Sequence, residues 1–167
     1  SYLSSIESNI VPLLLSSKIN NKLLANLIDI YKPKYIFKKK SKPYKGFQAL
    51  STYKGYSLFI GIKYEEIKLH NDLALLLTTS GSTGSPKLVR LTKKNLLSNA
   101  KSICSFLQIT SNDRAISSLP FNYSYGLSVI NSHLSCGGSI VLSNTSMMER
   151  DFWNLIKKHL VTSIAGV

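Results

Sequence analysis

Residues Leu73–Lys87 read L-A-L-L-L-T-T-S-G-S-T-G-S-P-K, and this stretch decides how the chain is interpreted. Its apolar start has the length of a β-strand and leads directly into a loop of hydroxyl and glycine residues. Glycine lets the backbone approach a ligand closely, and successive N–H groups in such a loop form an anion-binding nest. Lys87 adds a full positive charge, and the hydroxyls of Ser80, Ser82 and Thr83 add hydrogen-bond donors. The stretch therefore predicts a site for a polyphosphate.

The order of residues in this loop excludes two common phosphate-binding motifs. A P-loop requires Gly-x-x-x-x-Gly-Lys-Ser/Thr, whereas counting from Gly81 places Pro86, Lys87 and Leu88 at the last three positions. The second glycine and the magnesium-binding hydroxyl are therefore both missing. The dinucleotide fingerprint Gly-x-Gly-x-x-Gly is absent as well.

Two segments resemble the adenylate-forming enzymes, the superfamily of acyl-CoA synthetases, peptide-synthetase adenylation domains and luciferases. The run Thr79–Lys87 resembles their phosphate-loop signature, and Leu119–Leu142 resembles their substrate-side segment. In that segment Leu-Pro-x-aromatic-His-x-x-Gly-Leu precedes a helix, a Gly-Gly pair and a strand. Asn122 and Tyr123 depart from the pattern, since they stand at its aromatic and histidine positions. The positions in register are Leu119, Pro120, Gly126, Leu127, Gly137 and Gly138.

The resemblance implies an α/β fold with a mostly parallel sheet and helices on both faces. It places residues 1–167 in a single partial domain, within the large N-terminal domain of such an enzyme. The family's adenine- and ribose-binding motifs and its C-terminal lid domain are not found in these residues. On this interpretation we expect the 167-residue chain alone to be inactive.

The resemblance also implies an enzyme, an ATP-dependent and AMP-forming acid–thiol ligase. Such an enzyme uses ATP and Mg²⁺ to activate a small carboxylic acid as an acyl-adenylate. It then passes the acyl group to CoA or to the phosphopantetheine arm of a carrier protein. No residue of the chain is assigned as catalytic, and the metal ligands are left unknown. The implied phosphate-binding residues are Thr79, Ser80, Gly81, Ser82, Thr83, Gly84 and Lys87, and the implied acyl-side residues are Phe121, Asn122, Tyr123, Ser124 and Gly126.

The composition and the cysteines indicate in which cellular compartment the protein is expected. The 167 residues contain no apolar run that approaches the roughly 18–20 residues of a membrane helix. The first residues lack the basic and apolar regions of a signal peptide. Cys104 and Cys136 have no metal-ligand spacing, and we expect two free, buried thiols. These features predict a cytoplasmic protein.

The net charge of +13 is concentrated in Tyr31–Tyr64, which contains nine lysines and no acidic residue. Aromatic residues lie between these lysines, a composition also found in modules that bind single-stranded nucleic acid. One alternative function is therefore a nucleic-acid-binding module, and a second is a non-catalytic domain that retains the fold. Lysine dominates here, whereas arginine is the usual choice for phosphate recognition. We expect a solvated surface with no specific nucleic-acid partner. The resemblance, in turn, implies an acyl carrier protein as a candidate partner.

Strands and helices alternate along the chain after Asp72. Such alternation predicts a parallel sheet whose ligands bind beyond the carboxyl ends of the strands. Thr92 is a candidate N-cap for a helix that reaches Leu107. Within the predicted helix Tyr125–Ser135, His133 is expected to have a structural role. Residues Lys38–Gly55 have the composition of a polar loop. The predicted strands are Val11–Leu15, Tyr35–Phe37, Ser57–Ile62, Leu73–Thr79, Ala115–Leu119, Ser139–Ser143 and Ser163–Val167, and the other predicted helices are Asn20–Asp29, Tyr125–Ser135 and Glu149–His159.

Overall fold

The computed structural model describes residues 2–39, 42–65, 67–78 and 87–167. The chain forms two compact units, one made of Ser1–Leu15 with His70–Val167 and the other of Ser16–Leu69. The helices are α1 (Tyr2–Glu7), α2 (Asn21–Tyr31), α3 (Lys93–Leu107), α4 (Ser124–Ser135) and α5 (Arg150–Lys158). The strands are β1 (Leu13–Leu14), β2 (Tyr35–Lys39), β3 (Phe47–Tyr53), β4 (Tyr56–Gly61), β5 (Leu73–Thr78), β6 (Leu88–Thr92), β7 (Arg114–Ile116), β8 (Ser139–Val141) and β9 (Ser163–Ile164).

Strand β5 is the middle strand of the first sheet in the larger unit. It pairs in parallel with β1 and antiparallel with β6, so this sheet is mixed. Leu75 and Leu77 of β5 are buried together with Leu127 of α4. An apolar run on a central strand is buried on both sides, which is why this segment has no polar alternation.

Helix α3 begins where the sequence predicts it. The Thr92 hydroxyl accepts a hydrogen bond from the Asn95 N–H at 3.0 Å, and the Asn95 side chain accepts one from the Thr92 N–H at 3.0 Å. This reciprocal pair is a capping box, which satisfies two backbone donors at the start of the helix. The helix ends at Gln108, which has a left-handed backbone with φ of 53°.

The two cysteines lie on neighbouring helices. Cys104 belongs to α3, and Cys136 follows the last residue of α4. The helices pack against each other, and the two residues form a disulfide. The expectation of two free thiols is therefore wrong. The residues are 32 positions apart, and only the packing of α3 on α4 brings them together.

The second sheet of the larger unit is parallel, with β7 between β8 and β9. Ala115 and Ile116 of β7 are buried, as is Phe152 of α5. The glycine pair before β8 is required sterically, because a Cβ at Gly138 would lie 2.8 Å from the Asp113 carbonyl oxygen. Gly137 has a φ of +76°, which favours glycine.

The smaller unit consists of α2 and a three-stranded antiparallel sheet in the order β2-β4-β3. Asn20 caps α2 by accepting a hydrogen bond from the Lys22 N–H at 2.8 Å. Leu27 of α2 and Phe59 of β4 are its buried apolar residues among those described. The sheet is short and most side chains of β3 are exposed.

The α/β class predicted from the sequence is confirmed, and three details differ. Residues 38–55, predicted as a loop, contain the edge strand β3. Strand β6 lies between the glycine-rich loop and α3, where no strand is predicted, and it runs antiparallel to β5. Three strand pairs are parallel, namely β1 with β5, β7 with β8 and β7 with β9. The other three pairs are antiparallel, namely β2 with β4, β3 with β4 and β5 with β6. The remaining elements lie where they are predicted, with ends that differ by a few residues.

Asp113 stabilises the corner between α3 and β7. Its carboxylate accepts hydrogen bonds from the N–H and hydroxyl of Thr110, at 2.8 and 2.9 Å, and from the Thr162 hydroxyl at 3.0 Å. These bonds, the Thr110 N–H first, lower the pKa of Asp113, because they favour the charged carboxylate. The corner is thus held to the start of β9 by an ionised side chain.

The Asp113→Asn variant should show a weaker acid dependence of stability. A carboxyl group whose pKa is lowered by folding stabilises the fold above its unfolded pKa of about 3.9. This contribution is lost as the pH falls from there through the lower folded value. Wild type should be more stable than the variant at neutral pH, and the difference should shrink below about pH 4. Urea unfolding across this pH range measures it, and a difference independent of pH would contradict the assignment.

Candidate functional site

The glycine-rich loop joins two paired strands. Thr78 ends β5, Leu88 begins β6, and the two are direct partners across the antiparallel ladder. Both ends of the loop are therefore fixed on one edge of the sheet. Lys87, the last loop residue, is described and has an exposed side chain. The other predicted phosphate-binding residues, Thr79, Ser80, Gly81, Ser82, Thr83 and Gly84, lie outside the described residues.

The hydrophobic core brings the end of β5 and the second predicted segment together. Leu77 precedes the last residue of β5, and Leu127 lies in the first turn of α4. These two side chains belong to one buried cluster, against which Leu91 of β6 and Leu96 of α3 also pack. The end of β5 and the start of α4 are therefore neighbours, although about 50 residues separate them in the sequence.

A tight turn presents the residues before α4. The Tyr123 N–H donates to the Pro120 carbonyl at 3.1 Å, which folds the chain back onto the first helical turn. A Cβ at Gly126 would fall inside contact distance of the Pro120 carbonyl oxygen and 2.9 Å from that of Leu119. Glycine is thus the residue that permits this close packing. Phe121 and Tyr123, on the turn itself, are 41% and 46% exposed.

A narrow cavity lies beside this turn. Its volume is about 10 Å³, which is enough for about one water molecule. Gly126 lines the cavity, whereas the other predicted acyl-side residues, Phe121, Asn122, Tyr123 and Ser124, do not. The remaining lining residues are Ile116, Ser117, Ser118, Leu119, Val129, Ile130, Ile140 and Ala165.

Sequence reasoning missed two hydroxyl residues of this lining. Ser117 and Ser118 directly follow β7, and Ala165 directly follows β9. The Ser117 Oγ accepts a hydrogen bond from the Ser143 N–H at 2.8 Å, and the Ser118 hydroxyl donates to the Ala165 carbonyl. The signal that could have found them is their position, since ligands of parallel sheets bind at the carboxyl ends of strands.

His133 is a structural residue, as expected from its place in α4. Its side chain is buried, with Nδ1 2.9 Å from the Val129 carbonyl and Nε2 2.8 Å from the Ser163 hydroxyl. The carbonyl can only accept, so Nδ1 donates to Val129, while Nε2 is hydrogen-bonded to the Ser163 hydroxyl. Both ring nitrogens are engaged within the fold, and the ring ties α4 to β9.

A family model described as AMP-binding enzyme matches residues 18–167. The chain belongs to this family. The match includes the glycine-rich loop and the segment from residue 119 to residue 142 that lines the cavity. The resemblance stated from these two segments is thereby confirmed.

Individual members of the family match shorter parts of the chain. Oxalate–CoA ligase from Arabidopsis thaliana is 35% identical over 99 residues, which are 58% of this chain and 19% of that protein. A nonribosomal peptide synthetase from Gibberella zeae is 31% identical over 96 residues, 58% of this chain and 1% of that protein. The structure of o-succinylbenzoate CoA synthetase from Bacillus subtilis, in complex with ATP and magnesium ion, has a TM-score of 0.52 at 33% identity, covering 64% of this chain and 23% of that one.

The chain spans less than a quarter of the length of each of these relatives. Within the described ranges no helix is both long enough and apolar enough to cross a membrane.

Proposed function

We propose that this chain is the ATP-phosphate-binding part of a ligase that activates a carboxylic acid and transfers it to a thiol. The observation that carries the proposal is the placement of the glycine-rich loop. Both of its ends are fixed by the pairing of Thr78 with Leu88, and Lys87 lies at its exit. The core cluster, in which Leu77 at the end of β5 packs with Leu127 at the start of α4, supports the proposal further.

The proposed reaction has two steps. A carboxylate oxygen of the acid attacks the α-phosphorus of ATP, the bond to the bridging oxygen of the β-phosphate breaks, and pyrophosphate leaves with its electron pair. A thiol then attacks the carbonyl carbon of the acyl-adenylate, loses its proton, and AMP leaves. Because the first step brings two anions together, it depends on charge neutralisation and positioning.

The loop and the turn have separate roles in this proposal. The backbone N–H groups and hydroxyls of residues 79–84 bind the β- and γ-phosphates, and the Lys87 ammonium screens their charge. The turn Phe121–Gly126 faces the acid. Its three exposed aromatic rings, those of Phe121, Tyr123 and Tyr125, offer apolar surface to an acyl group. An acyl group would have to widen the narrow cavity beside Gly126 in order to enter it.

Magnesium fits the site as a companion of the nucleotide. Within the described ranges, no three side chains of His, Cys, Asp or Glu come together as a metal-binding group. Mg²⁺ commonly binds through substrate phosphates and retained waters. The loop hydroxyls could hold the waters of a phosphate-bound ion, which would add its positive charge to that of Lys87.

The acceptor thiol belongs either to CoA or to a phosphopantetheine arm on a carrier protein. Relatives named above include both a CoA ligase and a nonribosomal peptide synthetase. We propose a cytoplasmic enzyme from its composition alone, because the Cys104–Cys136 disulfide removes the support that free thiols would give.

The test is ATP–pyrophosphate exchange by the full-length protein, scanned over a panel of carboxylic acids. Exchange that requires one acid and Mg²⁺ would support the ligase. Nucleotide binding without exchange for any acid would favour a non-catalytic domain that keeps the fold. Transfer assays with CoA and with a carrier protein then identify the acceptor.

A further inference from the structure

The disulfide of the larger unit joins two neighbouring helices at a place that solvent can reach. Cys104 lies in the last turn of α3, and Cys136 directly follows α4. Both residues are partly exposed, so a small thiol in solution has access to the sulfur atoms. Exposed disulfides are reduced more readily than enclosed structural ones, and the regulatory disulfides belong to this exposed class.

The surroundings of the disulfide also suit the two reduced cysteines. The Cys104 Sγ lies 3.1 Å from the Ser132 carbonyl oxygen and 3.5 Å from the Ser135 hydroxyl oxygen. After reduction, the Cys104 S–H can therefore donate a hydrogen bond to this carbonyl. A free cysteine otherwise packs as a small apolar residue. Both redox forms are thus compatible with the packing of α3 on α4, as a reversible switch requires.

Helix α4 connects this disulfide with the turn before the helix. The helix has 12 residues, so its two ends are about 18 Å apart. Near its end, His133 ties it to β9 through the Ser163 hydroxyl at 2.8 Å, and the disulfide ties it to α3. Reduction removes the covalent tie and leaves the hydrogen bond. The helix then has more freedom to move against α3.

The start of α4 has no slack that could absorb such a movement. A Cβ at Gly126 would lie 2.9 Å from the Leu119 carbonyl oxygen, so the preceding turn packs directly on the helix backbone. Leu127 is buried in the core cluster with Leu75 and Leu77. A displacement of α4 therefore has to move the turn and the cluster with it, because closely packed groups transmit strain.

The expected cellular compartment adds an independent reason for a labile bond. The composition predicts a cytoplasmic protein, and small thiols keep cysteines reduced in that compartment. Disulfides that do occur there are usually transient and serve catalysis or redox sensing. No residue of the chain has been assigned as catalytic, which leaves redox sensing as the role that fits.

We propose that the Cys104–Cys136 disulfide is a reversible redox clamp on α4, opened by a low-molecular-weight thiol and closed by the corresponding disulfide. In the opening reaction, a small thiolate attacks one protein sulfur, the S–S bond breaks, and the other cysteine leaves as a thiolate and takes up a proton. A second small thiolate attacks the mixed disulfide, and the first cysteine leaves in the same way. The protein gains two electrons and two protons, and two small thiols become one disulfide.

The first test is a redox titration of the full-length protein with reduced and oxidised glutathione as the probe. Alkylation of free thiols and mass spectrometry then report the state of the peptides that contain Cys104 and Cys136. The two cysteines should change state together, and the change should reverse when the glutathione ratio is reversed. A disulfide that stays intact in reduced glutathione, or thiols that stay unpaired in oxidised glutathione, would overturn the proposal.

The second test measures amide hydrogen exchange in the two redox forms. Reduction should make exchange in residues 119–136 about tenfold faster, because the clamp restricts local opening. Cys104→Ser and Cys136→Ser should exchange at the rate of the reduced protein in either buffer. Ser102→Ala, an exposed serine on α3, is the matched control and should respond like the wild type. Equal exchange in the oxidised and reduced wild type would contradict the clamp, and this comparison needs no substitution.

The third test asks whether the clamp affects the acid, and this part rests on the proposed ligase function. In pyrophosphate exchange, the KM for the acid should be higher for the reduced protein and for Cys136→Ser, whereas the KM for ATP should not change. A KM for the acid that is equal in both forms would overturn the link between the clamp and the turn. An intact redox response without pyrophosphate exchange for any acid would contradict the ligase and support the clamp alone.

Discussion

On the proposed function, replacing Lys87 with alanine in the full-length protein should slow acyl-adenylate formation about tenfold to a hundredfold. A charge-assisted hydrogen bond contributes roughly 1.5–3 kcal/mol, and about 1.4 kcal/mol in the barrier is a factor of ten in rate. Lys87 directly precedes Leu88, and the pairing of Leu88 with Thr78 fixes the backbone at this end of the loop. Pyrophosphate exchange at saturating acid measures the loss.

Two controls sharpen this measurement. Lys101→Ala removes an exposed lysine from α3, away from the loop, and should leave exchange unchanged. Residues 1–167 alone should show no exchange, because a phosphate nest by itself reaches a Kd on the order of only 1 mM and catalysis also needs a site closed to water. Unimpaired exchange by the Lys87→Ala variant would contradict the phosphate-binding role of Lys87. Turnover by residues 1–167 alone would contradict the expectation that this part is inactive by itself.

Short-range sequence signals predict the elements that are stabilised by contacts between residues close in sequence. Thr92 and Asn95 specify the start of α3 through a capping box, and the structure places the helix there. Strand β3 was missed because it is an edge strand with most side chains exposed, so its sequence lacks the alternation of a half-buried strand. Strand β6 was missed because its five residues pair with β5 across the whole glycine-rich loop. That pairing is a property of the sheet, and no short window of sequence contains it.

The candidate site likewise combines short sequence motifs with contacts between residues far apart in the sequence. The turn around Gly126 could be found from the sequence because it is a contiguous motif, and the phosphate-binding role of the loop stays a prediction. Ser118 and Ala165 lie 47 residues apart and meet only because β7 and β9 are neighbours in a parallel sheet. The disulfide between Cys104 and Cys136 likewise depends on the packing of two helices. Motifs therefore predict what the chain binds, while the walls of the cavity are set by contacts between distant strands.

The Gly126→Ala variant should impair use of the acid more strongly than use of ATP. Alanine favours a helix over glycine by about 1 kcal/mol, so propensity alone predicts a more stable α4. The added Cβ would instead overlap the Pro120 carbonyl and crowd that of Leu119. Both are backbone atoms that cannot rotate away, and overpacking of this kind costs about 1–3 kcal/mol. The clash should therefore dominate and displace the turn that carries Phe121 and Tyr123.

A displacement of about 1 Å near reacting groups can reduce a rate about a hundredfold, so we expect kcat/KM for the acid to fall between about tenfold and a hundredfold. The KM for ATP should change little, because the loop is anchored on β5 and β6. Gly61→Ala is the matched control, since the nearest atoms to its new Cβ are 3.8 Å away and no positive φ is required there. The contrary outcome would be that Gly126→Ala lowers the apparent affinity for ATP and for the acid equally. That result would show that the turn acts through the stability of the whole unit, and it would contradict a place for the turn beside the acid.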